Sequence, residues 1–233
     1  MTVPARYTLY GAPTRASLAP QIVLEELGVD YRDVVIDLDA GAHKTAEFLR
    51  LNPSGRVPVL VDGELAVSEA AAICLHLADQ HPAAGLLAPP ASHDRGRAYQ
   101  ILLFLATTVQ PTLMEYFYPA RYAPDAAGEP HVMAHALTKL ASLWRQLDGE
   151  LCGNVSVLAR GFGVCDAYLY MLASWHRDTE RPLTAYEHLW RVVTHTAARP
   201  AVRRVAVAHG PASTAWWHAA VAMDPGLCDR SVA

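Results

Sequence analysis

A histidine–lysine pair, a proline-headed apolar run and a glutamate at a helix start lie within one stretch of this chain, Gly41 to Asp79. Asn52-Pro53 ends a helix there, because proline disfavours α backbone in the residue before it. Pro58 heads the run Val59-Leu60-Val61, and proline is tolerated at a strand start or edge. Asp62-Gly63 is a hairpin turn signal between that run and Leu65-Ala66-Val67. Ser68 or Glu69 then opens an apolar helix. A helix start presents unpaired N–H groups and the positive end of the helix dipole, both favourable to a carboxylate. An edge of this kind beside such a helix start can hold a peptide.

These motifs, in this order, resemble the glutathione-binding half of the cytosolic glutathione transferases, and the resemblance runs over residues 6 to 206. It implies glutathione as co-substrate and no metal. It implies that Val57-Pro58 is a cis-proline pair whose backbone meets the cysteine of glutathione. Glu69 and Ala70 would hold the γ-glutamyl end, although the family usually has Ser or Thr where Ala70 stands. Gly41-Ala42-His43-Lys44 is similar to the GEHK-type loop of the theta and delta classes, whose His and Lys approach the glycine carboxylate. Arg56 stands where a Gln is common and can also meet a carboxylate.

The family activates a thiol near the start of its first helix, by a hydroxyl donor or a cysteine. A thiolate is the reactive species, and a helix N-terminus with one extra donor stabilises it. Residues 10 to 17 of this chain read Y-G-A-P-T-R-A-S. The theta and delta pattern puts Gly11 where the serine belongs, the beta pattern puts Ala16 where the cysteine belongs, and the zeta pattern falls on Thr14-Arg15-Ala16. Three hydroxyls remain. Ser17 can be an N-cap, a thiol donor or both; Thr14 sits in the turn; Tyr10 ends a strand and can face the core instead. Arg15 is either a solvated loop charge or a guanidinium that favours a nearby anion. The second substrate would lie between the domains, against Thr107, Gln110, Met114 and Tyr118. Gln110 stands near the place of the active-site histidine of beta-class enzymes. A stripe of this kind is also what a helix packed in a core shows.

The rest of the composition narrows the field. The 233 residues are 52% hydrophobic and 18% charged, ample for a sizeable core. A net charge of −4 and a pI near 6.2 argue against a nucleic-acid partner, which calls for a basic stripe. No long apolar run predicts a membrane span, and the N-terminus lacks the pattern of a secretion signal. Cys74, Cys152, Cys165 and Cys228 show no paired or metal-like spacing, so a reducing cytoplasm is expected. His131 and His135 share a helix face, but the glutamate of a zinc-protease motif is absent and no third ligand stands nearby.

The elements that must position these residues follow from periodicity and punctuation. Residues 6–10 read as a strand, 16–27 as a helix closed by Gly28, and 31–38 as containing a second strand. A short helix follows at 44–50, strands at 58–61 and 64–67, and a helix at 68–81. This β-α-β-α-β-β-α order is thioredoxin-like. The Pro- and Ala-rich residues 82–91 read as a linker. Helices are expected at 92–119, 130–151, 164–179 and 186–198, with a short one after Pro200, which makes an all-α bundle. The expected division is therefore 1–81, a linker at 82–91, and 92–233. In the resemblance, Asp166 is a folding residue that accepts backbone N–H bonds, with Gly163 in place of the usual Ser or Thr. The tail after Pro211, with Trp216 and Trp217, can fold over a cleft or join an interface.

Three functions follow as expectations. The first is a glutathione transferase acting on a small electrophile as a homodimer. The second is a glutathione-dependent cis–trans isomerase of the zeta kind, for which Arg15 and Arg56 would favour an acidic substrate. The third is a binding protein that kept the fold and lost the thiol activator, a reading favoured by Gly11, Ala16 and Ala70.

Overall fold

The computed structural model describes residues 5–210; the tail with Trp216, Trp217 and Cys228 lies outside the described residues. Four strands form one mixed sheet in the order β2-β1-β3-β4. β1 (Tyr7–Gly11) pairs parallel with β2 (Tyr31–Val35) and antiparallel with β3 (Val59–Asp62), which pairs antiparallel with β4 (Leu65–Ser68). Along β1, Tyr7 and Leu9 are buried while Thr8 and Tyr10 are half-buried, the alternation expected of successive side chains on opposite faces.

Helix α1 (Leu18–Leu27) joins β1 to β2 and ends at Gly28, whose φ of 63° is the left-handed cap that glycine adopts without a Cβ clash. Helix α2 (Ala46–Leu51) begins at Thr45, whose Oγ1 accepts from the Phe48 N–H, and ends before Asn52-Pro53. Helix α3 (Ala70–Gln80) follows β4. The thioredoxin-like order expected from the sequence is present.

Every described element after residue 81 is helical: α4 (His93–Phe104), α5 (Gln110–Phe117), α6 (Glu129–Glu150), α7 (Val164–Ser174), α8 (Glu187–Ala198) and α9 (Pro200–Ala208), with short single turns between some of them. The helix expected over 92–119 is divided, because Leu105–Val109 forms a π-helical turn ahead of Pro111. Proline has no N–H to give and its ring crowds the carbonyl one turn back, so the regular ladder cannot run through it. Helix α7 stops at Ser174, short of the expected 179. All of its residues are buried, and it packs on α1, α3, α4 and α8. One core cluster therefore runs from β1 and α1 through α3 into the helical half.

The connection around 82–91 is docked. Arg95 at the start of α4 donates to Asp79 (2.6 Å) and to the Ala88 carbonyl (2.9 Å). The Leu86 carbonyl accepts the Val164 N–H at 3.0 Å, so it satisfies one of the orphan donors of α7. A Cβ on Gly163 would stand 2.6 Å from that oxygen, which accounts for a glycine where the family pattern has Ser or Thr. Asp166 is 1% exposed and accepts from the N–H groups of Val157 (2.7 Å) and Gly163 (2.9 Å). Burial raises its pKa to about 7, against the lowering effect of those two bonds.

Candidate active site

Strand register gathers the candidate residues at one end of the sheet. Val59 pairs with both Tyr10 and Ser68. The residues just before Val59, just after Tyr10 and just after Ser68 therefore meet there: Val57-Pro58, the turn 11–17, and Glu69-Ala70. The Val57-Pro58 peptide is cis. Val57 precedes the ladder, and its own N–H and C=O have no backbone partner among the described residues. Glu69 is exposed, with φ 68° and ψ 113°, an unusual backbone for a residue with a side chain. Ala70 is the first residue of α3 and is 4% exposed. An unpaired backbone segment thus lies beside a helix start, an arrangement that suits a bound peptide.

The turn between β1 and α1 is built around Ser17. Its hydroxyl is 2% exposed, donates to the Ala12 carbonyl at 2.9 Å and accepts from the Ala12 N–H at 3.2 Å. Ser17 holds the N-cap position of α1, its carbonyl accepting the Gln21 N–H at 3.0 Å, but its side chain makes no cap bond: the hydroxyl closes the turn instead. A Cβ on Gly11 would stand 2.6 Å from the Ser17 Cβ, so the residue at the family's serine position must be a glycine for Ser17 to sit here. Thr14, at the apex, has φ 60°, which is costly for a β-branched residue. No hydrogen bond engages its hydroxyl among the described residues. The Tyr10 ring packs edge-on against Phe48 of α2 (centroids 6.3 Å apart), on the face of β1 opposite Leu9. Arg15 is exposed, and its Nη1 approaches the Tyr118 hydroxyl at 3.5 Å.

The loop before α2 contributes His43 and Lys44. Lys44 Nζ donates to the Gly55 carbonyl at 3.2 Å, and the buried His43 Nδ1 has no hydrogen-bond partner. Arg56 is exposed, and its carbonyl accepts from Asn52 at 2.7 Å. The four pocket residues have separate partners. Thr107 is exposed and donates back to the Leu103 carbonyl at 2.8 Å. Gln110 accepts from the Tyr168 hydroxyl, whose pKa burial pushes up. Met114 packs against the core cluster. Tyr118 meets the turn through the Arg15 guanidinium.

One residue of the site escaped the sequence reading. His209, just after α9, is 6% exposed; its Nδ1 accepts the Thr14 N–H at 3.1 Å and its Nε2 meets Gln21 Oε1 at 2.6 Å. Nδ1 is therefore unprotonated and Nε2–H donates. Burial lowers its pKa to about 4. Gln21 in turn donates to Tyr31 and Asp33. No sequence motif marks His209; its role comes only from the packing of α9 on α1. Among the described residues no group of three or more His, Cys, Asp or Glu could hold a metal ion, and no helix is long and apolar enough to cross a membrane.

Residues 5–79 match the family model described as the glutathione S-transferase, N-terminal domain. The chain is 32% identical to glutathione S-transferase GstA of Escherichia coli O157:H7, over 87% of this chain and 98% of that protein. It is 31% identical to glutathione S-transferase GST-4.5 of Xanthomonas campestris pv. campestris, over 72% of this chain and 81% of the relative. A sphingomonad glutathione S-transferase, solved in complex with glutathione, superposes with a TM-score of 0.76 at 34% identity, over 87% of this chain and 98% of that one. With a relative 32% identical matched over 98% of its length, the chain belongs to the glutathione S-transferase family.

Proposed function

We propose that this glutathione transferase-like enzyme binds glutathione at the sheet end formed by Val57-Pro58 and Glu69-Ala70, and adds the glutathione thiolate to a small electrophile. The observation that carries this reading is the unpaired Val57 backbone, two residues ahead of the pair Val59–Ser68 that leads into α3. Val57 would bond the cysteine backbone of glutathione. Glu69 and the Ala70 N–H would hold the γ-glutamyl ammonium and carboxylate. His43, Lys44 and Arg56 would face the glycine carboxylate.

Thr14 is the thiol donor in this reading, because the Ser17 hydroxyl donates to Ala12 and Tyr10 packs on Phe48. The Thr14 hydroxyl donates to the sulfur and lowers its pKa, the thiol proton leaving to solvent. The thiolate then attacks an electrophilic carbon, forming the C–S bond as a leaving group departs. The division into 1–81, 82–91 and 92–233 is supported by the absence of described strands after Ser68. Exposed Leu65 and Leu103 favour a homodimer, and the buried thiols Cys74 and Cys165 fit a reducing cytoplasm.

Calorimetric titration of glutathione, followed by thiolate absorbance of the complex against pH, tests the proposal. Binding with a thiol pKa below that of free glutathione is the expected result. Absence of binding would leave the non-catalytic reading.

A further inference from the structure

Tyr118, which follows α5, stands between two guanidiniums. Arg121 places its Cζ 4.0 Å from the centre of the ring, and Arg15 brings Nη1 to 3.5 Å from the hydroxyl. Arg15 belongs to the turn that carries Thr14; Arg121 belongs to the turn Pro119–Arg121. Both arginines are exposed. Among the described residues neither has a salt bridge to a carboxylate.

Stacking on an aromatic face orients a guanidinium while leaving its N–H fork available. Two like charges held around one ring disfavour each other, and an anion between them relieves both. The Tyr118 hydroxyl adds a donor to the same place. Arg15 is the residue after Thr14, so the arrangement joins the turn that carries the thiol donor to the end of α5.

We propose that Arg15, Tyr118 and Arg121 form a carboxylate subsite, and that the electrophile is an organic acid: a molecule that carries a carboxylate as well as its reactive carbon. This rests on the assignment of the thiol to the turn at Thr14. Carboxylates of glutathione itself are the other source of the same chemistry, and the test separates the two.

The full chain is assayed with 4-chloro-3,5-dinitrobenzoate and with its methyl ester. In both, the thiolate forms a C–S bond at the chlorinated carbon and chloride leaves; the ester activates the ring more than the carboxylate, so each rate is divided by that of the uncatalysed reaction with glutathione. On that scale the wild type should prefer the acid. Arg121→Ala and Arg15→Ala should each lower the acid-to-ester ratio of kcat/KM by about tenfold, the scale of one charge-assisted bond. Tyr118→Phe should lower it less, and Arg121→Lys should restore part of it. The KM for the acid should rise while the KM for glutathione does not. An unchanged ratio, or a rise confined to the glutathione KM, overturns the subsite. If neither compound is turned over, the reaction assignment falls, and calorimetry with unreactive 3,5-dinitrobenzoate decides the subsite alone. About tenfold weaker binding to Arg121→Ala then supports it, and equal binding overturns it.

Discussion

His209 Nδ1 accepts the backbone N–H of Thr14 at 3.1 Å, so the end of the last described helix holds the apex of the turn that begins the first. That bond fixes Thr14 in its left-handed backbone. Asparagine can place an oxygen near the Nδ1 position, while glutamine reaches toward the Nε2 position. His209→Asn should therefore keep the bond to Thr14 and lose the one to Gln21, and His209→Gln the reverse. Each should cost about 1–2 kcal/mol in thermal melts. The thiol pKa of bound glutathione should rise more in His209→Gln; an equal rise in both would show that the Thr14 bond does not tune the thiol.

The same residue predicts a pH dependence. Its folded pKa is lowered to about 4 by burial, below the ordinary imidazole value. A group with a depressed folded pKa contributes stability that is present above its unfolded pKa and lost as pH falls through the folded one. Between pH 6.5 and 4, roughly, the unfolded chain takes up the proton first. The Tm advantage of the wild type over His209→Asn should shrink across that window. A difference that stays constant would place the protonation elsewhere.

Ser17 and Thr14 should separate cleanly. Ser17→Ala removes both hydroxyl bonds to Ala12 and should lower stability by about 1–3 kcal/mol, since it leaves the buried Ala12 N–H unpaired while the Ala12 carbonyl keeps the Arg15 N–H. Thr14→Val keeps the side-chain shape and removes only the hydroxyl. It should raise the thiol pKa of the complex more than Ser17→Ala does. Thiolate absorbance on both variants, beside their melts, checks the order; the reverse order would return the thiol to Ser17.

Gly163→Ser restores the residue the family pattern usually has, and here it should harm. Its Cβ would meet the Leu86 carbonyl at 2.6 Å, the oxygen that already accepts from Val164. A cap ordinarily stabilises by about 1 kcal/mol, but displacing a docked connection should outweigh that, and the Tm should fall. A rise would mean that the connection yields easily.

Short-range signals were legible along the chain. Asp62-Gly63 marked the β3–β4 hairpin, Gly28 the end of α1, and Asn52-Pro53 the end of α2. Each depends on the backbone preferences of one or two residues, which the sequence carries locally. The approximate places of Val57-Pro58 and Glu69 followed from the same punctuation together with the family pattern.

What tertiary structure decided lies between distant residues. Ser17 holds the N-cap position, yet its hydroxyl turns back to Ala12, because Gly11 leaves room for it. The long helix expected across 92–119 was interrupted at Leu105–Val109, ahead of Pro111. His209 and Thr14 are 195 residues apart, and Arg15 and Tyr118 are 103 apart. The sequence by itself determined the order of strands and helices in the first half and the end of the sheet to which Val57-Pro58 and Glu69 belong. Only packing chose which hydroxyl is engaged, which histidine holds the turn and which arginines meet on one tyrosine, because those partners are brought together by the shared core and not by any local preference.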